Sequence, residues 1–153
     1  MATYFLDSSA IVKLYVAETG SQWLADITIP TAETRVYIVK IACVEVVAAL
    51  ARRAAFRGRP QSELIYAIKE FRNDFSNRFR IVEISTSLVS SAMDLSQRQG
   101  LRGYDAVQLA GAVEVNAEFM AFGSRCTLVS ADLELNSAAI AEGLTVENPN
   151  DHP

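Results

Sequence analysis

The sequence predicts an α/β domain, a three-layer α/β/α sandwich around a mostly parallel central sheet of about five strands. Short apolar runs, rich in β-branched and aromatic residues, alternate with longer stretches of helical periodicity. The runs read as buried strands, as expected of a sheet covered on both faces. No Gly-rich loop of the GxGxxG or GxxxxGK type follows any of them, which argues against the nucleotide-cofactor forms of such folds.

Residues 2–7 form the first run and stop abruptly at Asp7, where Ser8 or Ser9 can cap the helix through Ile11, Leu14 and Tyr15. A second helical piece is expected near 19–27, then a loop around Pro30. Residues 35–41 (Arg-Val-Tyr-Ile-Val-Lys-Ile) read as the second strand. From about Cys43 to Arg57 an alanine-rich helix runs until Gly58 and Pro60 end it. Leu64, Ile68, Phe71 and Phe75 then form one apolar stripe, the mark of an amphipathic helix. Residues 80–84 make a third strand, 86–99 a helix stopped by Gly100, and a further helix starts near Gly103 and runs into the 110s. Residues 125–130 are the fourth strand, 133–142 a helix and 144–146 a fifth strand.

With 153 residues the chain fits one domain with one sizeable core, divided here as residues 1–147 with a flexible tail at 148–153. Hydrophobic residues make up 50% and charged ones 21%, a globular composition. No run reaches the roughly 20 apolar residues that span a bilayer. No basic stretch precedes an apolar one at the N-terminus, so neither a secretory signal nor a membrane partner is expected, and a cytoplasmic location is. Cys43 and Cys126 lie far apart among apolar neighbours and read as reduced thiols. The single histidine, His152, sits beside the last residue, so a histidine base, a Ser-His-Asp triad or a histidine-bound zinc has nothing to run on.

Four acidic residues carry the functional expectation. Asp7 ends a strand and serves equally as a helix cap or as a ligand. Glu45 intrudes on an otherwise apolar helix, Ile41 to Leu50, where an unpartnered carboxylate is costly. Asp105 falls in the first turn of a helix, where the dipole favours an anion, and Asp132 follows the fourth strand, where capping is again an adequate alternative. If the element ends converge, several carboxylates meet in one pocket and cannot all stay ionised unaided. An oxygen-only acidic site suits magnesium or manganese, which can activate water at a phosphorus centre without histidine. Net charge is −4, equal to these four acids, so the rest of the chain is neutral. Its cations are mostly arginine, which grips phosphate or carboxylate in a fork.

These segments resemble the PIN-domain nucleases, and among them the VapC-type ribonuclease toxins of toxin–antitoxin pairs. The matching motifs are Leu6-Asp7-Ser8-Ser9-Ala10, Val44-Glu45-Val46, Leu101 through Ala110 (Leu-Arg-Gly-Tyr-Asp-Ala-Val-Gln-Leu-Ala), and Leu128-Val129-Ser130-Ala131-Asp132. The likeness spans about residues 3–147, and the Asp105 segment is its most specific part. It implies a metal-dependent endoribonuclease whose catalytic set is Asp7, Glu45, Asp105 and Asp132, around one or two Mg2+ or Mn2+ ions. Asp7 and Asp105 would be direct ligands and Asp132 a direct or water-mediated one. Glu45 would orient or deprotonate the attacking water, and Ser130 would be a supporting hydroxyl. The resemblance also implies an RNA substrate, a cognate VapB-like antitoxin that silences the toxin, and a homodimer or higher assembly with that antitoxin. Departing from the expected pattern, residues 116–124 look longer and more apolar than a short turn, with Phe119, Met120 and Phe122 readable as core or as a partner surface.

Arg52, Arg53, Arg57 and Arg59 cluster toward a helix C-terminus, where they complement the dipole or grip RNA phosphate or the antitoxin. Arg102 is the better candidate for contact near the cleavage site, and Tyr104 beside it can stack a base or wall the groove. Two alternatives keep the same fold: a housekeeping RNA-processing PIN nuclease, and a non-catalytic PIN domain that binds RNA or protein.

Overall fold

The computed structural model describes residues 1–58 and 60–153, with the side chains of residues 54–57 outside the description, so Arg57 and Arg59 of the basic cluster lie beyond it. Five strands form one sheet: β1 (Ala2–Leu6), β2 (Thr34–Val39), β3 (Arg80–Val82), β4 (Thr127–Val129) and β5 (Thr145–Glu147). Every pairing is parallel and the order is β3-β2-β1-β4-β5. The expected mostly parallel sheet is thus parallel throughout. Phe5 and Leu6 point to opposite faces of β1, and both are fully buried, so the sheet is covered on both sides. Ile38, Val39, Leu128 and Val129 are equally buried; each such side chain contributes about 1.5–3 kcal/mol through removal from water.

The helices are α1 (Ser8–Ile11), continued by a 3-10 turn over Val12–Leu14, α2 (Ser21–Ile27), α3 (Ala42–Arg57), α4 (Gln61–Asn77), α5 (Thr86–Gln99), α6 (Gly103–Met120) and α7 (Leu133–Ala141). The α4 stripe is real: Phe71 is buried, with Leu64, Ile68 and Phe75 packed against the core. Ser85 caps α5 by accepting the Leu88 N–H, and Gly100 ends it at φ 69°, a left-handed position that suits glycine.

Two expectations need correction. The cap of α1 is neither Ser8 nor Ser9 but Asp7, one of the two roles open to it, whose side chain accepts the Ala10 N–H because Asp7 already holds the extended position before the first helical residue. Ser8 and Ser9 lie inside the helix and turn their hydroxyls to other work. Residues 116–124 are mostly helix: α6 runs on to Met120, and Gly123 (φ 75°) lies in the turn that follows. Phe119 is core, edge-on to Tyr37 and under Arg35, whereas Met120 and Phe122 are exposed.

Residues 148–153, set apart in the sequence reading as a tail, pack back on the domain. A 3-10 turn over Pro149–Asp151 buries Pro149, and the His152 ring stacks on Trp23 of α2 at 3.9 Å with its Nε2 3.1 Å from Glu147.

Candidate active site

The sheet order places a switch point beside β1. The chain leaves β1 for β2 on one side, and β4 pairs with β1 on the other. In parallel sheets the crevice beyond the carboxyl ends of two such strands is where ligands bind. Asp7 follows β1 and Asp132 follows β4, so both stand at that crevice. Glu45 enters from the first turn of α3 and Asp105 from the first turn of α6. All four carboxylates line one cleft of about 460 Å³.

Each acid is held differently. Asp7 is 5% exposed. Its carboxylate accepts the Ala10 N–H at 3.0 Å, the Ser130 hydroxyl at 3.0 Å, and lies 2.7 and 2.9 Å from the Ser9 hydroxyl. Burial pushes its pKa up from 3.8 to about 6, against these hydrogen bonds, with the Asp132 charge adding to the rise. Asp105 is half-buried and accepts no hydrogen bond from the described residues; burial raises its pKa, the Asp132 and Glu45 charges add to that, and Arg102 opposes it. Asp132 accepts the Leu135 N–H at 3.0 Å and so caps α7. Glu45 accepts the Ser8 hydroxyl at 3.0 Å and the Gln108 amide at 2.8 Å, both on Oε1.

Ser130, expected as a supporting hydroxyl, stands between two of the acidic positions. Fully buried, it donates to Asp7 and accepts the Asp132 N–H at 3.0 Å, coupling two of the acids through one hydroxyl. Ser9, in α1, also bonds Asp7, and its oxygen accepts the Ala131 N–H at 2.9 Å, tying α1 to the segment after β4. Arg102 is exposed at the start of α6 and acts on Asp105 by charge alone. Tyr104 is 61% exposed at the cleft, and Arg52 and Arg53 line its rim, with Arg53 paired to Glu18 at 3.2 Å. Ser8, Ser9 and Gln108 were not singled out from sequence as site residues. For Gln108 the signal was present: a polar residue one turn after Asp105, in a stretch over residues 106–113 otherwise built of alanine, valine, leucine and glycine.

The donor set is all oxygen, and the neighbouring carboxylates add to the raised proton affinity of Asp7 and Asp105, so the pocket's chemistry fits a hard divalent cation. Among the described residues no group of three or more acidic, thiol or imidazole side chains is drawn together tightly enough to enclose an ion as it stands. Asp7, Glu45 and Asp132 instead accept hydrogen bonds from the hydroxyls, amide and backbone N–H groups around them, and Asp105 accepts none from the described residues.

A family profile for the PIN domain matches residues 4–140. The chain belongs to the PIN-domain family. It is 36% identical over 115 residues to ribonuclease VapC45 of Mycobacterium tuberculosis, covering 75% of this chain and 78% of that protein. As a fold, this PIN domain superposes on VapBC2 from Rickettsia felis, solved with a DNA fragment from its promoter, with a TM-score of 0.63 at 14% identity, covering 95% of this chain and 98% of the other. A toxin–antitoxin complex from Klebsiella pneumoniae gives a TM-score of 0.62 at 17% identity, covering 96% and 98%. No helix among the described residues of this PIN domain is long and apolar enough to cross a membrane.

Proposed function

We propose that this PIN domain is a divalent-metal-dependent endoribonuclease that acts as the toxin of a type II toxin–antitoxin pair in the cytoplasm. The observation that carries this reading is the meeting of Asp7, Glu45, Asp105 and Asp132 in one cleft at the switch point of a parallel sheet. The 36% identity to a VapC ribonuclease supports the RNA substrate, and the likeness to toxin–antitoxin complexes supports an antitoxin partner.

Asp7, Asp105 and Asp132 would hold the cation, Mg2+ or Mn2+. Bound there, it supplies charge neutralisation at the phosphate and acidifies a water molecule. Glu45 is the base: it is half-exposed, hydrogen-bonded on one oxygen, and free on the other among the described residues to take a proton from water. Ser130 and Ser9 keep Asp7 turned toward the crevice. Arg102 lies where its charge can meet an RNA phosphate beside Asp105, and Tyr104 offers an exposed ring for a base to stack on.

Purified protein incubated with total RNA is expected to cleave it with Mg2+ or Mn2+ and to stop on EDTA addition. Asp105→Asn should lower the rate by at least about 100-fold; full activity in that variant overturns the site assignment. Induced expression should arrest growth, and co-expression of the cognate antitoxin should relieve the arrest. An active enzyme that arrests nothing is a housekeeping nuclease instead.

A further inference from the structure

We infer that Gln108 is the positioning residue for Glu45, acting with Ser8 as a clamp that holds one carboxylate oxygen so that the other faces its water. The inference rests on the reading of Glu45 as the base. Three helices meet at this clamp: Ser8 comes from α1, Glu45 from α3 and Gln108 from α6. Gln108 Nε2 donates to Ser8 Oγ at 2.8 Å and to Glu45 Oε1 at 2.8 Å, and Ser8 Oγ donates to the same Oε1 at 3.0 Å. The three groups close a ring of hydrogen bonds. A carboxylate only accepts, so the amide nitrogen must be the atom that faces it. All of this converges on Oε1, and Glu45 Oε2 has no hydrogen bond among the described residues.

A second observation separates this clamp from ordinary core packing. Gln108 is 1% exposed, and its own Oε1 is buried without a partner among the described residues. An unpaired buried acceptor costs stability, and an apolar side chain of equal length would avoid the cost. The amide is therefore a liability to the fold at the place where it serves Glu45. Its position is also economical, since α6 carries Asp105 and Gln108 one turn apart and fixes a ligand and the support of the base with one rigid element.

Gln108→Met keeps the length and removes both N–H donors. The expected result is a fall in kcat of roughly 10–100-fold, a KM for RNA within about twofold, and a melting temperature unchanged or raised. Ser8→Ala should lower kcat more mildly, and Ser8→Thr, which keeps the hydroxyl, should restore it. A Gln108→Met enzyme with wild-type kcat overturns the inference, as does a kcat loss accompanied by a lowered melting temperature. A readout that needs no RNA is the NMR signal of the Gln108 side-chain amide in the whole protein, assigned by its disappearance in Gln108→Met. It should exchange slowly with water and shift when Glu45 is changed to Gln. An amide indifferent to Glu45→Gln overturns the clamp even if RNA is cleaved. A responsive amide in a protein that cleaves no RNA leaves the clamp standing and removes the nuclease reading.

Discussion

Asp7 ends β1, caps α1 and lines the cleft, and these roles pull in different directions. Capping wants an acceptor, whereas burial penalises the charge, and the outcome is a pKa raised from 3.8 to about 6. The folded state thus holds this proton more tightly than the unfolded chain does. Stability from protonated Asp7 is fully present below pH 3.8, fades as pH rises through about 6, and is absent at pH 7.5. Asp7→Asn removes the charge and, without metal, should stabilise the protein at pH 7.5 by about 1–3 kcal/mol, the lower end applying if the amide serves poorly as an acceptor. Melts in EDTA at pH 4 and pH 7.5 check this, and a gain as large at pH 4 contradicts it. The same variant should not cleave RNA. All four acids were legible in the sequence because Asp7 and Asp132 follow apolar strands, Asp105 opens a helix and Glu45 intrudes on an apolar one. Ser8 and Gln108, which hold Glu45, were not, since their partner lies tens of positions away.

At the scale of elements, the acids share one placement. Asp7 and Asp132 are N-caps, and Glu45 and Asp105 occupy first turns, so each sits where unpaired N–H groups and the helix dipole favour an anion. Helix starts thereby offset part of the burial and repulsion that raise the pKa values of Asp7 and Asp105. The element that matters most is α6, buried along much of its length, which approaches β1 at Gly111. A Cβ there would lie 2.9 Å from Phe5 Cζ, closer than packed carbons tolerate. Gly111→Val should cost about 1–3 kcal/mol by overpacking, read as a lower urea midpoint, with loss of cleavage because Asp7 directly follows the displaced strand. An unchanged midpoint would show that α6 can shift freely. The start of α6 was legible from Gly100 and Gly103, but its end was not. Asn116 looks like a breaker, yet its side chain accepts the Cys126 N–H at 3.0 Å, a bond that only the folded return of the chain supplies.

At the scale of the molecule, strand count and parallel character were legible because alternation of strands and helices forces crossovers. The return of residues 148–153 was not, since nothing local in a Pro/Asn/Asp segment announces a docking place. It depends on Gly20, which has φ 85° and on which a Cβ would overlap the Pro149 carbonyl. Gly20→Ala should therefore free the segment and unstack His152 from Trp23, the only tryptophan, so that its emission moves to longer wavelength. Emission identical to wild type would mean that the segment stays docked. The sheet order has one more consequence, and it concerns time. The central strand is made well before its β4 neighbour, so Asp7 leaves the ribosome's catalytic centre roughly 6–25 s before Asp132 at ordinary synthesis rates of about 5–20 residues per second. Until then no complete cleft exists. A chain broken off between the two carries Asp7 without Asp132, and on the proposed reading it lacks one wall of the site.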